Sequence, residues 1–455
     1  METLTRIGFG LFGLAVLLAI AWVFSANRRA INWRLIAIGL GLQLLIAGFV
    51  LLTPWGAHVF DALSTGFVKL LGFTTQGARF IFGDFTDPDK FGFVFAFQVL
   101  PTIIFFASFM SVLYHLGVMQ KIVQGMAWVI TKLMPVSGAE TLSVCANAFI
   151  GQTESPLVVK PYISKMTESE LLTLMVGGMA TIAGGVLGAY VMLLGGGDTA
   201  QQAFYAKHLI TASIMAAPAT LIIAKILVPE TNTPLTLGTV RMDVEKTTTN
   251  VIDAAAAGAS DGLRLALNVG AMLLAFIALI AVLNGAIGFV WASHFTIPVG
   301  YSDGQWNFYH FPSWQDGWAA MTGHRIDLSL QTLLGTILSP LAWAIGVPWQ
   351  DANTIGGLIG TKVVLNEFVA YVQLGDIIRG NVEGVTLTDQ GRLIATYALC
   401  GFANFSSIAI QIGGIGGIAP DRRHDLARFG LRAVLGGSIA TLMTATIAGV
   451  LTHFA

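Results

Sequence analysis

The sequence predicts an all-α polytopic membrane protein of about eight transmembrane helices plus two opposed re-entrant hairpins, built as inverted repeats with discontinuous helices. Three observations carry that expectation. The 455-residue chain is 55% hydrophobic and only 11% charged, too little charge to cover a water-soluble protein of this length. Its apolar residues fall into runs of roughly 20, the length that crosses a bilayer as a helix. Two further apolar stretches are too short to cross and return, and each is interrupted by a short polar tip.

Composition also excludes several functions. A net charge of −1 without a basic patch argues against nucleic acid as a partner. Cys145 and Cys400 lie in apolar contexts and read as small core residues. The eight histidines are scattered with no close pair, so no ligand set for metal catalysis is visible. Neither an enzyme nor a resident cofactor is expected. The first apolar run is a full span followed by Arg28 and Arg29, not a cleavable signal.

In order, the spans are Ile7–Ala26 and Leu35–Thr53, the second ended by Pro54. Residues 57–90 are mixed; Leu63, Phe67, Leu70 and Leu71 would share one face of an interfacial amphipathic helix followed by a loop. Residues 1–90 thus form an N-terminal scaffold unit. The third span is Phe91–Leu116, and Met119–Leu133 is a short amphipathic helix leading into the first hairpin. Leu171–Leu194, the turn Gly195–Asp198, Leu209–Leu227 and a polar connection over 229–262 complete a first repeat, 91–262. The second repeat, 263–455, holds Leu263–Trp291, an aromatic polar insert over 292–328 and a short apolar stretch to Val347. The second hairpin near 349–378 follows, then Leu393–Ile418 and Phe429–His453.

The first hairpin runs from about Ser137 to Ser164, with the tip Gly151-Gln152-Thr153-Glu154-Ser155-Pro156. Taken alone, it would serve equally as a cytoplasmic loop between two short helices. A second copy favours the hairpin. Pro135, Ala139, Thr141 and Glu154 have spacings of 4, 2 and 13, which Pro348, Ala352, Thr354 and Glu367 repeat, and an Ala-Trp pair precedes each proline. The second tip reads Leu365-Asn366-Glu367-Phe368. Interrupted hydrophobic segments in corresponding halves point to the binding site of a secondary transporter.

Orientation follows from Lys and Arg. Arg28, Arg29 and Arg34; Lys121, Lys132, Lys160 and Lys165; Lys225, Arg241 and Lys246; and Arg422, Arg423 and Arg428 all fall on one side if both termini are outside. The first hairpin then enters from the cytoplasm and the second from outside. Lys69, Arg79, Lys362, Arg379 and Arg392 fall on the other side.

The chemistry-bearing residues are few. Glu154 and Glu367 are carboxylates at hairpin tips, and an ionisable group at membrane depth marks a pathway or site unless a structural lysine or helix amides hold it. Ala180–Val186 in the fourth span and Gly401–Ile408 in the seventh place hydroxyls or an amide beside glycines. Such segments serve as ordinary packing glue or as helix breaks whose free amides and carbonyls meet a ligand.

Three strings carry a family likeness: Gly-Gln-Thr-Glu-Ser-Pro-Leu-Val-Val at 151–159, Gly-Thr-Lys-Val-Val-Leu-Asn-Glu-Phe-Val-Ala-Tyr at 360–371, and Tyr-Ala-Leu-Cys-Gly-Phe-Ala-Asn-Phe-Ser-Ser-Ile at 397–408. In this order they resemble the concentrative nucleoside transporters, from about residue 90 to the C-terminus. The first two spans match bacterial members of that family only in number and hydrophobicity.

The resemblance implies a trimeric, cation-coupled nucleoside symporter in a bacterial inner membrane. It implies that Gln152, Thr153 and Glu154, beside Gly151, face the nucleobase, and that Val186 and Phe402 wall its pocket. Glu367, with Asn366 beside it, Asn404 and Ser407 would hold the ribose; a carboxylate, an amide and a hydroxyl suit a polyol. The cation, Na+ ahead of H+, would take the Asn147 and Thr181 side chains and the Ile150 and Ile182 carbonyls. Thr181 keeps the hydroxyl where family members often carry serine. The insert 292–328 departs from the family and receives no function. Two other classes compete. A channel for small polar solutes would give flux independent of a cation gradient, and an intramembrane enzyme would need a nucleophile–base pair or a metal ligand set.

Overall fold

Side-chain caps start several of the helices in this chain, among them both full spans and half-spans. The computed structural model describes residues 2–238, 248–293, 295–302, 305–311, 313–316 and 328–452. The N-terminal unit comprises α1 (Glu2–Val23), α2 (Trp33–Leu52) and α3 (Pro54–Phe82). Asn32 accepts from the Leu35 amide to start α2, and Thr53 with Pro54 starts α3. The buried stripe of α3 is Phe60, Ser64, Leu71, Thr74 and Ala78, while Leu63 is exposed. The expected face is therefore rotated: Phe67 and Leu71 fit it, and Leu63 does not.

Short helices α4 (Pro88–Phe91) and α5 (Phe95–Gln98) lead to α6 (Leu100–His115). Then α7 (Val118–Leu133) reaches the first hairpin, which begins with α8 (Gly138–Asn147). Ser137 and Glu140 cap α8 reciprocally, Oγ accepting from one backbone amide and the carboxylate from the other. The return arm is not the half-length helix expected. It is a 3-10 segment, Ser155–Val159, followed by the single turn α9 (Lys160–Ile163). Pro156 and Pro161 remove the backbone donors that a regular helix would need there.

The fourth span is broken into α10 (Glu168–Ala180) and α11 (Gly184–Gly195), followed by α12 (Thr199–Leu227). A 42-residue helix, α13 (Val251–Ala292), comes next. The expected polar connection over 229–262 is thus too long. Asn250 caps the helix through the Asp253 amide, and the alanine-rich stretch after it is strongly helix-forming. The aromatic insert contains an antiparallel hairpin, β1 (Phe295–Ser302) with β2 (Gln305–Phe311), whose register pairs Phe295 with Phe311 and Ser302 with Gln305. Alternating aromatic and β-branched residues suit a strand.

The second half continues with α14 (Leu330–Ala344), which bends by 118° into α15 (Trp349–Val364). The arms α15 and α16 (Glu367–Ile378) make the second hairpin, with its tip at Leu365 and Asn366. The seventh span is again broken, α17 (Asp389–Ala398) and α18 (Phe405–Ile418), and α19 (Arg423–Leu451) ends the chain. Seven helices among the described residues are long and apolar enough to cross a membrane, the broken α10–α11 span included. The count is eight if the bent α14–α15 pair is one span, and α18 is a shorter apolar helix that follows the α17–α18 break.

The two breaks meet. The Phe402 amide donates to the Thr181 carbonyl at 3.2 Å. Gly401 makes this approach possible, since a Cβ there would lie 2.8 Å from the Met179 carbonyl oxygen. Around this centre α12 and α19 are deeply buried, with 89% and 78% of their apolar windows enclosed, against 22% for α6 and α13. Those two outer helices pack on each other, with Gly258 and Gly262 of α13 against Ala107 and Ile104 of α6.

Candidate functional site

Glu367 opens α16 at the second tip, where the positive end of a helix favours a carboxylate. It is 5% exposed. The Tyr190 hydroxyl of α11 donates to its Oε1 at 2.9 Å, and Asn404 Nδ2 donates to Oε2 at 3.1 Å. Asn404 is the N-cap of α18: its Oδ1 accepts from the Ser407 amide at 2.8 Å and from the Ser406 hydroxyl at 2.7 Å. The amide is therefore oriented by one donor bond to Glu367 and by its acceptor bonds to the helix start, which leaves its second N–H for a ligand.

The first tip reaches the same helix end. Gln152 Nε2 donates to the Ser407 hydroxyl at 3.0 Å, and Gln411 Nε2 donates to Gln152 Oε1 at 3.1 Å. Hydrogen bonds thus run without interruption from Gln411 through Gln152, Ser407 and Asn404 to Glu367 and Tyr190. They join both hairpin tips across the start of α18. Asn366 caps α16 through the Val369 amide at 2.9 Å. Val186 is buried on the first turn of α11, and Phe402 is half-buried in the break. Gly151 opens the first tip, its carbonyl accepting from the Glu154 and Ser155 amides at 3.2 and 3.0 Å.

Glu154 is not the structural equal of Glu367. It is exposed and accepts from its neighbour Thr153 at 2.8 Å. The repeat places both carboxylates at tips, but the irregular return arm of the first hairpin gives Glu154 no regular helix to begin.

The four expected cation ligands lie where α8, its tip and the α10–α11 break converge. The Thr181 hydroxyl donates to the Asn147 carbonyl at 2.9 Å, and the Ser155 hydroxyl donates to Asn147 Oδ1 at 2.8 Å. The Gly184 amide donates to the Phe149 carbonyl at 2.9 Å, which lays the segment around Ile150 against the segment around Ile182. Asn147, Thr181 and Ile182 are buried. Two side-chain oxygens and nearby carbonyls outside regular helix make a hard, neutral oxygen set, the kind an alkali cation takes. Among the described residues no group of three His, Cys, Asp or Glu side chains could hold a metal ion.

Three participants were missed in the sequence. Tyr190 sits in an apolar run, where a tyrosine is unremarkable. Gln411 was detectable as a lone amide inside the seventh span. Charge counting sets Lys362 only as an exception on the outer side, but it is buried in α15, donating to the Ala398 carbonyl at 2.8 Å and the Thr441 hydroxyl at 2.9 Å. It caps the C-terminal end of the half-helix α17, where a cation is favoured.

Comparison with known proteins gives this geometry its family. Residues 208–449, more than half of the chain, match the Na+ dependent nucleoside transporter C-terminus. The corresponding N-terminus matches residues 12–85, and a gate family described as nucleoside recognition matches residues 96–197. The chain belongs to the Na+-dependent, concentrative nucleoside transporter family. The N-terminal match extends the likeness over the first two spans, beyond the limit near residue 90 that the motifs gave. Among relatives of this transporter chain, the nucleoside permease NupC of Helicobacter pylori is 40% identical, covering 97% of each chain. An uncharacterized transporter of Haemophilus influenzae is 43% identical over 96% of each. Of solved structures, CNTnw in an inward-facing, substrate-bound state superposes with a TM-score of 0.84 at 42% identity, covering 98% of this chain and 99% of that one. A CNTnw variant in an outward-facing state gives 0.84 over 100% and 98%.

Proposed function

We propose that this chain imports nucleosides by symport with Na+, through alternating access, and that it carries no catalytic activity. The observation that carries the reading is the convergence of two hairpin tips on the start of one half-helix, α18, between two broken spans. In hydrocarbon such irregular backbone is tolerated only where it lines a cavity or is covered by protein. Family membership supplies the substrate class, and relatives include the sodium/nucleoside cotransporter 1 of Mus musculus, 36% identical over 96% of this chain and 63% of its own length.

Glu367, Asn404 and Ser407 hold the ribose in this reading, with Asn366 fixing the tip. Gln152, Thr153 and Glu154, on the Gly151 turn, face the base, and Val186 and Phe402 wall it. Na+ is a second substrate, held by Asn147 Oδ1, the Thr181 hydroxyl and the Ile150 and Ile182 carbonyls. Its charge organises the first tip and the α10–α11 break together, which is how ion binding and nucleoside binding become coupled. Both termini lie outside, and three copies associate through the lipid-facing helices.

The test is nucleoside binding to the detergent-purified protein in Na+ and in choline. Uridine affinity is expected to rise with Na+ concentration. Equal affinity in choline, or no binding of any nucleoside, contradicts the proposal.

A further inference from the structure

Gln411 is fully buried in α18, and none of the roles given above uses it. Its Nε2 donates to the Met175 carbonyl at 2.9 Å and to Gln152 Oε1 at 3.1 Å. A backbone carbonyl can only accept, so the Met175 contact settles which end of the Gln411 amide is nitrogen. That nitrogen then settles Gln152: its oxygen must turn to Gln411, and its NH2 turns to Ser407 and the tip. Gln411 Oε1 has no hydrogen-bond partner and is buried. An uncompensated buried acceptor is destabilising, so the amide serves this helix for its donor and not for stability.

We propose that Gln411 is a positioning residue for base selectivity. By locking the Gln152 amide with NH2 toward the substrate, it favours nucleosides whose base presents a carbonyl where a rival presents an amino group. Uridine and inosine are then preferred over cytidine and adenosine at this position. The inference rests on the nucleoside reading above. A site that offers a donor rejects a second donor because both groups are left unpaired in a dry pocket.

The experiment is competition against labelled uridine by uridine, cytidine, inosine and adenosine in proteoliposomes, in wild type, Gln411→Met, Gln411→Glu and Gln152→Ala. Wild type is expected to favour each carbonyl base over its amino counterpart by about fivefold or more, the scale of one hydrogen bond made or left unmade. Gln411→Met removes the lock at nearly constant volume and should bring both ratios to within about twofold of unity while transport continues. Gln411→Glu offers acceptors to Gln152, turns its NH2 inward and should reverse the ratios. Gln152→Ala should erase them, and Gln411→Met added to Gln152→Ala should change them no further. If Gln152→Ala erases the ratios but Gln411→Met leaves them at wild-type values, the positioning role is overturned while the base role of Gln152 stands. Wild-type ratios near unity also overturn it. Absence of all nucleoside competition in the wild type instead overturns the transporter reading itself. Should Gln411→Glu fail to insert, Gln411→Met still decides the question.

Discussion

Glu367 is the buried carboxylate of the proposed site. Its two oxygens already accept from Tyr190 and Asn404, so its carboxyl group is held in one orientation for the proposed ribose contact. A hydrogen bond to a charged group is worth about 1.5–3 kcal/mol. Glu367→Gln keeps the shape but turns one acceptor into a donor, and uridine affinity is expected to fall on the order of 10-fold to 100-fold. Uracil, which lacks ribose, should compete poorly against wild type and lose little further in the variant. Competition by uridine, a deoxyribonucleoside and uracil measures this; uracil matching uridine would reject the ribose role. Thr181→Val should lower apparent Na+ affinity with expression nearly unchanged, read as the Na+ dependence of uridine uptake. Unchanged Na+ dependence would remove Thr181 from the cation set. At this scale the sequence was informative wherever a polar side chain interrupted an apolar run, as at Gln152, Glu367, Asn404 and Ser407. It was silent at Tyr190, because a tyrosine inside an apolar run carries no signal of its own. It also equated Glu154 with Glu367, because spacing records the tip but not the conformation of the arm behind it.

The elements show why the two halves differ in detail. Both broken spans were legible from glycines beside hydroxyls and amides, and the structure joins them through Thr181 and Phe402. Gly401→Ala puts a methyl within 2.7 Å of Thr441 Cγ2 and 2.8 Å of the Met179 carbonyl. Overpacking of this kind costs about 1–3 kcal/mol, so a lower unfolding temperature is expected by thermal denaturation in detergent, with transport reduced as the breaks separate. A variant as stable and as active as wild type would show that the breaks need not touch. At the foot of the first hairpin, Lys225 bridges Glu140 at 2.8 Å and Glu230 at 3.2 Å while only 5% exposed. Removing one partner of a buried ion pair costs about 3–5 kcal/mol, so Lys225→Met should destabilise the protein more than Gly401→Ala in the same denaturation assay. Equal or smaller loss would show the triad to be well hydrated. The start of α13 was misread because its polar and small residues resemble a loop, whereas alanine and an asparagine cap make a helix. The strand pair in the insert left only its aromatic alternation as a sign.

Across the whole molecule, loop contacts sort onto two ends. At one, the Ala26 amide donates to the Leu227 carbonyl at 2.8 Å, and Arg422 donates to the Met166 carbonyl at 2.6 Å. At the other, Arg379 pairs with Asp376 at 2.9 Å and Gln390 donates to the Gly346 carbonyl at 2.9 Å. The first end holds the foot of hairpin one, and the proposed orientation, drawn from the Lys and Arg distribution, makes it the cytoplasmic end. Leu235, beside that foot, and Trp349, at the foot of hairpin two, are each 65% exposed. Single cysteines there, in a Cys145→Ala, Cys400→Ala background, should label from opposite sides with a membrane-impermeant thiol reagent, Leu235→Cys from the cytoplasm and Trp349→Cys from outside. Labelling of both from one side would refute the opposed hairpins. The helical membrane fold and its apolar spans were legible because hydropathy and spacing are properties of long stretches, which average over local irregularity. The most direct test of the central claim is the steady-state uridine ratio across proteoliposomes with an inward Na+ gradient and no pH gradient. The account expects internal uridine to exceed external, to rise with the Na+ ratio and to collapse when the Na+ gradient is dissipated. A ratio that stays at unity whatever the Na+ gradient, or one that follows an imposed pH gradient alone, would contradict it.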